Sequence, residues 1–254
     1  MATSKGKFAT LTSWSFSVYT QYIRCPFAVC LDKVMRVRIQ EPDNPAFVKG
    51  NAVHSTADIY IGGIGSKRPS LLLTLPPEAP GAKPVKVDMS AIKPDLDMLR
   101  KAKSRSEQEW AFTKAWLPTG WFDKDAWLRI KTDACADTIK PPTVLIVDWK
   151  TGKQYDDHRQ QRSLYALGGL QLVQIGALAG GSKDVDLTVK HVYVDFGKPA
   201  TETFKMKDLA PLKREWLARI KGMMSDTKFD ATPGRHCSWC KFNAKKGGPC
   251  KSGV

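Results

Sequence analysis

Val144-Leu145-Ile146-Val147-Asp148-Trp149-Lys150-Thr151-Gly152-Lys153 sets a carboxylate and an ammonium two residues apart at the end of an apolar, β-branched run. With a side-chain period of two, Val144, Ile146, Asp148 and Lys150 fall on one face of a strand, and Leu145, Val147 and Trp149 on the other. Asp148 and Lys150 therefore point the same way. A strand that emerges into solvent at its last two residues has the same form, so the stretch takes its meaning from its surroundings.

Upstream, Trp127-Leu128-Arg129-Ile130-Lys131-Thr132-Asp133 alternates like a second strand, and Asp137 to Thr143, with Pro141-Pro142, reads as the connection. Adjacent strands would bring Asp133 beside Asp148. Two carboxylates at close range repel unless a cation or a proton lies between them, which favours a hard divalent ion such as Mg²⁺. A lysine beside that ion suits phosphoryl chemistry.

The rest of the chain reads as mixed α and β structure. A Ser15-capped helix runs to the Cys25-Pro26 break, and a second opens at Asn44-Pro45 and carries His54. Ser66 to Lys86, rich in Pro, Gly and Lys, reads as an insertion or a loop over the site. Asp95 to Lys114 is helical in part, with Glu107 to Phe112 able to pair as a strand. Glu107 and Glu109 could assist a metal but read mainly as structural or solvated. Asp156 to Val173 forms a helix on which Gln161 and Tyr165, four residues apart, share a face. Leu187 to Phe196 alternates as a strand with His191 on its face. Leu209 to Met224 is a basic amphipathic helix with Trp216, Ile220 and Met223 on its apolar stripe.

Six cysteines form a second pattern. Cys237, Cys240 and Cys250 crowd a segment too short and too rich in Lys and Gly to build a core, so something else must order it. A Cys-x-x-Cys pair can bind one soft metal centre, either structural Zn²⁺ or an iron-sulfur cluster, and a fourth ligand is required. For zinc that ligand is His236 or Cys25. Cys30 and Cys135 read as small buried residues.

The chain has 254 residues, 42% of them hydrophobic, which suits one main domain with a core of its own. It shows no apolar run that could span a membrane, and Met1 to Lys7 has no signal-like segment. A cytoplasmic setting is expected. The net charge of +15 implies attraction to a polyanion. Arg36 and Arg38, Lys101 to Arg105, and Lys241 to Lys251 near Trp239 and Phe242 are the candidates for tracking phosphates.

Taken together, four blocks resemble the PD-(D/E)xK nuclease superfamily and its RecB-like exonuclease branch. They are Gly50-Asn51-Ala52-Val53-His54, Lys131-Thr132-Asp133, Ile146 to Lys153, and Gln161-Arg162-Ser163-Leu164-Tyr165, in the family's order. The resemblance implies a restriction-endonuclease-like α/β/α core with a mixed central sheet. It makes Asp133 and Asp148 metal-binding carboxylates, Lys150 the catalytic lysine, His54 an added metal ligand, and the Trp149 carbonyl a further contact to Mg²⁺ or Mn²⁺. Gln161 and Tyr165 match the helical motif that holds nucleic acid or orders the site. Thr132-Asp133 stands where the family usually has Pro-Asp.

Cys25-Pro26 matches the N-terminal cysteine of the branch's iron-sulfur members. In those, one N-terminal and three C-terminal cysteines hold a [4Fe-4S] cluster, here Cys25, Cys237, Cys240 and Cys250. The expected organisation is one nuclease domain over residues 1–254, with segments 13–43 and 225–254 joined as a cysteine-held cap. The expected activity is metal-dependent DNA exonuclease action on single strands or duplex ends, leaving 5′-phosphates, in replication, recombination or repair. Proteins of recombination or replication are the expected partners besides DNA, with no membrane. The small size and Lys-rich tail resemble phage-encoded members acting in the host cytoplasm. A structure-specific endonuclease and a catalytically silent nucleic-acid-binding module are the alternatives.

Overall fold

The computed structural model describes residues 7–40, 44–62, 68–77, 82–196 and 198–253, with the side chains of Ile139 and Lys198 outside that description. The main strands are β3 (Arg105–Phe112), β4 (Pro118–Thr119), β5 (Leu128–Ile139), β6 (Pro142–Lys150), β7 (Asp186–Tyr193) and β8 (Lys198–Phe204). They form a six-stranded sheet in the order β4-β3-β5-β6-β7-β8. Every pairing is antiparallel except β6 with β7. Parallel neighbours need a crossover, and helix α5 (Asp157–Gln174) supplies it.

Helices cover both faces. On one, Val144 and Ile146 of β6 and Leu128 and Ile130 of β5 pack with α5 and with α1 (Phe16–Arg24) and α6 (Leu209–Ser225). On the other, Val147 and Trp149 pack with α3 (Pro45–Gly62) and α4 (Lys93–Lys101). The alternation expected along β6 is thus the division between the two layers. Gly168 and Gly169 let α5 lie close to the sheet, because a Cβ there would come within 2.6 Å of Ile130 Cδ1 and Leu187 Cδ1 respectively. Ser15 caps α1 as expected, its hydroxyl accepting from Val18 N at 3.4 Å. Asn44 Oδ1 accepts from Ala46 N at 2.9 Å and so starts α3.

Three expectations change. The β5–β6 connection is shorter than Asp137 to Thr143, since pairing continues to Ile139 opposite Pro142. Pro142 is the first residue of its strand, where a missing N–H is tolerated. Within Ser66 to Lys86, β1 (Leu72–Leu75) and β2 (Val85–Asp88) pair as a small antiparallel sheet; residues 66–67 and 78–81 lie outside the described residues. Strand β8 was not expected; it holds Pro199 because it is an edge strand, where proline is allowed. Among the described residues no helix is long and apolar enough to cross a membrane. Residues 1–6 of the segment read as lacking a signal lie outside that description.

β5 is held discontinuously on its β6 side. Trp14 bridges to it at Leu128, with Arg129 N donating to Trp14 O at 2.9 Å. Pairing with β6 begins only at Ala134. Between these attachments, among the described residues, the edge forms a notch.

Candidate metal and catalytic centre

The register of β3 on β5 pairs Ser106 with Ala134 and Gln108 with Thr132, so Glu107 faces Asp133. Glu107 has φ 48°. For a residue other than glycine this left-handed conformation costs of order 1–3 kcal/mol and persists only where its surroundings hold it. From α3, His54 reaches the same place. One ligand atom from each of His54, Glu107 and Asp133 lies within 4.8 Å of the others, a donor set that fits a divalent cation. A cleft of about 660 Å³, lined also by Phe47, Asn51 and Lys131, opens over them.

Asp133 is fixed from both sides. Its Oδ1 lies 3.0 Å from His54 Nδ1, and its Oδ2 accepts from Trp149 N at 2.7 Å. The Trp149 indole is itself buried in the core. Burial, and then the charge of Asp148, raise the Asp133 carboxyl above the ordinary range. Burial alone would depress His54, but its hydrogen bond to Asp133 and the charges of Asp133, Asp148 and Glu107 together outweigh that and raise it.

Asp148 stands beside this group, in a ring of three hydrogen bonds closed by an ion pair. Lys150 Nζ lies 2.7 Å from Asp148 Oδ2 and donates to Gln161 Oε1 at 2.8 Å. Gln161 Nε2 donates to the Tyr165 hydroxyl at 2.8 Å, and that hydroxyl donates to Asp148 Oδ1 at 2.8 Å. The lysine can only donate, so the ring fixes the amide orientation of Gln161 and the direction of the Tyr165 proton. Burial pushes Asp148 up, but the Lys150 ammonium, the His191 ring and the Tyr165 hydroxyl together outweigh it and hold the carboxyl below the usual range. Tyr165 is raised well above the ordinary phenol by burial and then by Asp148.

The structure thus brings together every residue singled out in Asp133, Asp148, Lys150, Gln161, Tyr165, His54 and Trp149, and adds one. Glu107, expected to be structural or solvated, faces the same cleft, whereas Glu109 pairs with Lys131 in the register. His191, expected on a sheet face, is buried next to Asp148 in the parallel register with neither ring nitrogen hydrogen-bonded. Burial pushes its pKa down to about 3, so the ring is neutral at ordinary pH.

Cys25, Cys237, Cys240 and Cys250 line one small cavity with His236, against Ala28, Leu31 and Phe242. Cys25 sits between α1 and α2 (Pro26–Val29). Phe242 O accepts from Cys250 N at 2.8 Å, and Asn243 Nδ2 donates to Cys237 O at 2.8 Å, so the tail is folded back on itself. Burial raises the Cys240 thiol. Cys30 and Cys135 are buried, as expected.

Carboxylates that repel one another call for a cation, and a lysine at the same edge calls for an anion. The class so defined is a metal-dependent hydrolase of phosphoesters. Residues 13–244 match the family model of the PD-(D/E)XK nuclease superfamily, and the chain belongs to that superfamily. This makes it a nuclease of restriction-endonuclease-like fold that uses divalent metal and has DNA as its substrate. Comparison with curated proteins finds no match. Among solved structures it is similar to that of a protein named SSO0001, at 11% identity over 97% of this chain and 89% of that one. The TM-score there is 0.35, a likeness that carries no argument.

Proposed function

We propose that the chain is a DNA exonuclease of the RecB-like type, acting with Mg²⁺ or Mn²⁺ on single strands or duplex ends in replication, recombination or repair. The observation that carries the reading is the Asp148-Lys150-Gln161-Tyr165 ring set against the His54, Glu107 and Asp133 group. A bound cation would lower the pKa of the attacking water and offset charge on the phosphoryl oxygens. His54, Glu107, Asp133 and Asp148 would hold it, with the Trp149 backbone steadying Asp133. Lys150 orients the water and neutralises charge that develops as the P–O3′ bond breaks, leaving a 5′-phosphate. Gln161 and Tyr165 keep Lys150 and Asp148 aimed.

The four cysteines we assign to a [4Fe-4S] cluster joining segments 13–43 and 225–254 as a cap on a single nuclease domain. The support for this reading is that Cys25, from the N-terminal segment, and Cys237, Cys240 and Cys250, from the C-terminal one, line the same small cavity. An anaerobic preparation should be brown, and Cys237→Ala should bleach it. A colourless protein carrying one zinc per chain would overturn the assignment.

The activity is tested with end-labelled single-stranded, linear duplex and covalently closed circular DNA, in Mg²⁺, Mn²⁺ or EDTA, beside Lys150→Ala. Metal-dependent loss of linear but not circular DNA, absent in the variant, is the expected result. Cutting of circles would make the protein an endonuclease. Binding without cleavage of any substrate would make it a silent module.

A further inference from the structure

Two further clefts continue from the metal cleft. One of about 310 Å³ occupies the notch on β5 and shares Lys131 with the metal cleft. Gln161 and Tyr165 form one wall, and the first turn of α1, from Ser15, forms the other. A third of about 500 Å³ shares Ser15 and Arg129 with the second and extends to Arg36. The acidic residues stop at the first cleft. Among the described residues no Asp or Glu lines either of the other two.

The cations along this path are of two kinds. Lys131 is paired with Glu107 at 2.5 Å, and Lys33 with Asp32 at 2.8 Å. Arg129 and Arg36 have no carboxylate within ion-pair distance among the described residues. Arg129 donates to Trp121 O at 2.8 Å and lies over the Trp121 ring, 6.0 Å from its centroid, so an aromatic surface stands beside an uncompensated guanidinium. Basic grooves with interleaved aromatics track single strands, the cations meeting phosphates and the rings meeting bases.

The width of the notch favours one strand over two. Its limits, Leu128 and Ala134, are six residues apart. That is about 20 Å at 3.4 Å per residue, before the bulk of the flanking segments is subtracted.

We propose that a single DNA strand runs from the metal cleft past Lys131, through the notch, and along the groove to Arg36, with Arg129 and Arg36 contacting its phosphates. The proposal rests on the nuclease reading for its substrate class. It commits further to a route, to one strand and to named contacts outside the metal centre.

The test is binding, measured on Lys150→Ala protein so that it is independent of cleavage. Arg36→Glu is compared with Arg38→Glu, which makes the same charge change on an exposed side chain outside the groove. Labelled single strands of about 4 and about 16 nucleotides span the usual site sizes. Arg36→Glu should weaken the longer strand about tenfold and lower the slope of log affinity against log salt by about 0.7, one single-strand phosphate contact. It should leave the shorter strand within about twofold, as should Arg38→Glu for both lengths.

Equal losses in the two variants would show a diffuse field and overturn the route. So would an equal loss at both lengths, no loss at all, or tighter binding of duplex than of single strand. Failure of cleavage in the earlier experiment leaves these outcomes distinct, because none of them requires turnover.

Discussion

Glu107 and Glu109 lie two residues apart on one strand, and only the first faces the metal cleft. By alternation alone they are equivalent, which is why the sequence could not choose between them. What separates them is the left-handed φ at Glu107, a conformation with no signature in a Glu-Gln-Glu string. Asp133, Asp148 and Lys150 were legible because their geometry depends only on regular strands. Glu107→Gln should raise the metal concentration for half-maximal cleavage about tenfold, the low end for disturbing a metal's surroundings. Glu109→Gln should leave it unchanged, and equal effects in a metal titration would remove Glu107 from the site. Tyr165→Phe keeps the buried ring but opens the hydrogen-bonded loop around Lys150. Losing about 1.4 kcal/mol of orientation there would lower kcat about tenfold, with KM little altered. An unaltered kcat would make Tyr165 a packing residue only.

At the scale of elements, β5, β6, β7 and the helices could be read because each carries a full period of apolar residues. β8 and the β1–β2 pair could not, since short edge strands have little to bury and tolerate proline. The tail from Phe242 to Cys250 is another element without periodicity, and its fold depends on Gly248. A Cβ at that position would meet the Phe242 carbonyl carbon at 2.3 Å, and backbone atoms have little room to yield. Gly248→Ala should cost about 2 kcal/mol, a fall of about 4–8 °C in melting temperature, and should loosen the hold on Cys250. A calorimetric scan that matches the parent protein would contradict this account of the tail.

For the whole molecule, charge was legible but its placement was not. The +15 excess predicts an affinity for DNA that falls steeply with salt, measurable as a linear log–log dependence. The separation of one acidic cleft from two that lack acids emerges only when distant segments are folded together. So does the meeting of Cys25 with Cys237, which would close a loop of roughly two hundred residues that packing alone would close at a sizeable entropic cost.

Helix α1 carries Ser15 at its start, in the wall of the notch, and is followed directly by Cys25, in the thiol cavity. Nine helical residues make a rod of about 13.5 Å, stiff enough to act as a strut. The cysteines therefore buttress the passage at a distance, and releasing them should be felt there before it is felt at the metal. In Cys237→Ala, hydrogen exchange should quicken at Tyr19, whose N–H donates to Ser15 O at 3.0 Å, while the amides of β6 stay slow. Uniform exchange across both would show that the strut transmits nothing.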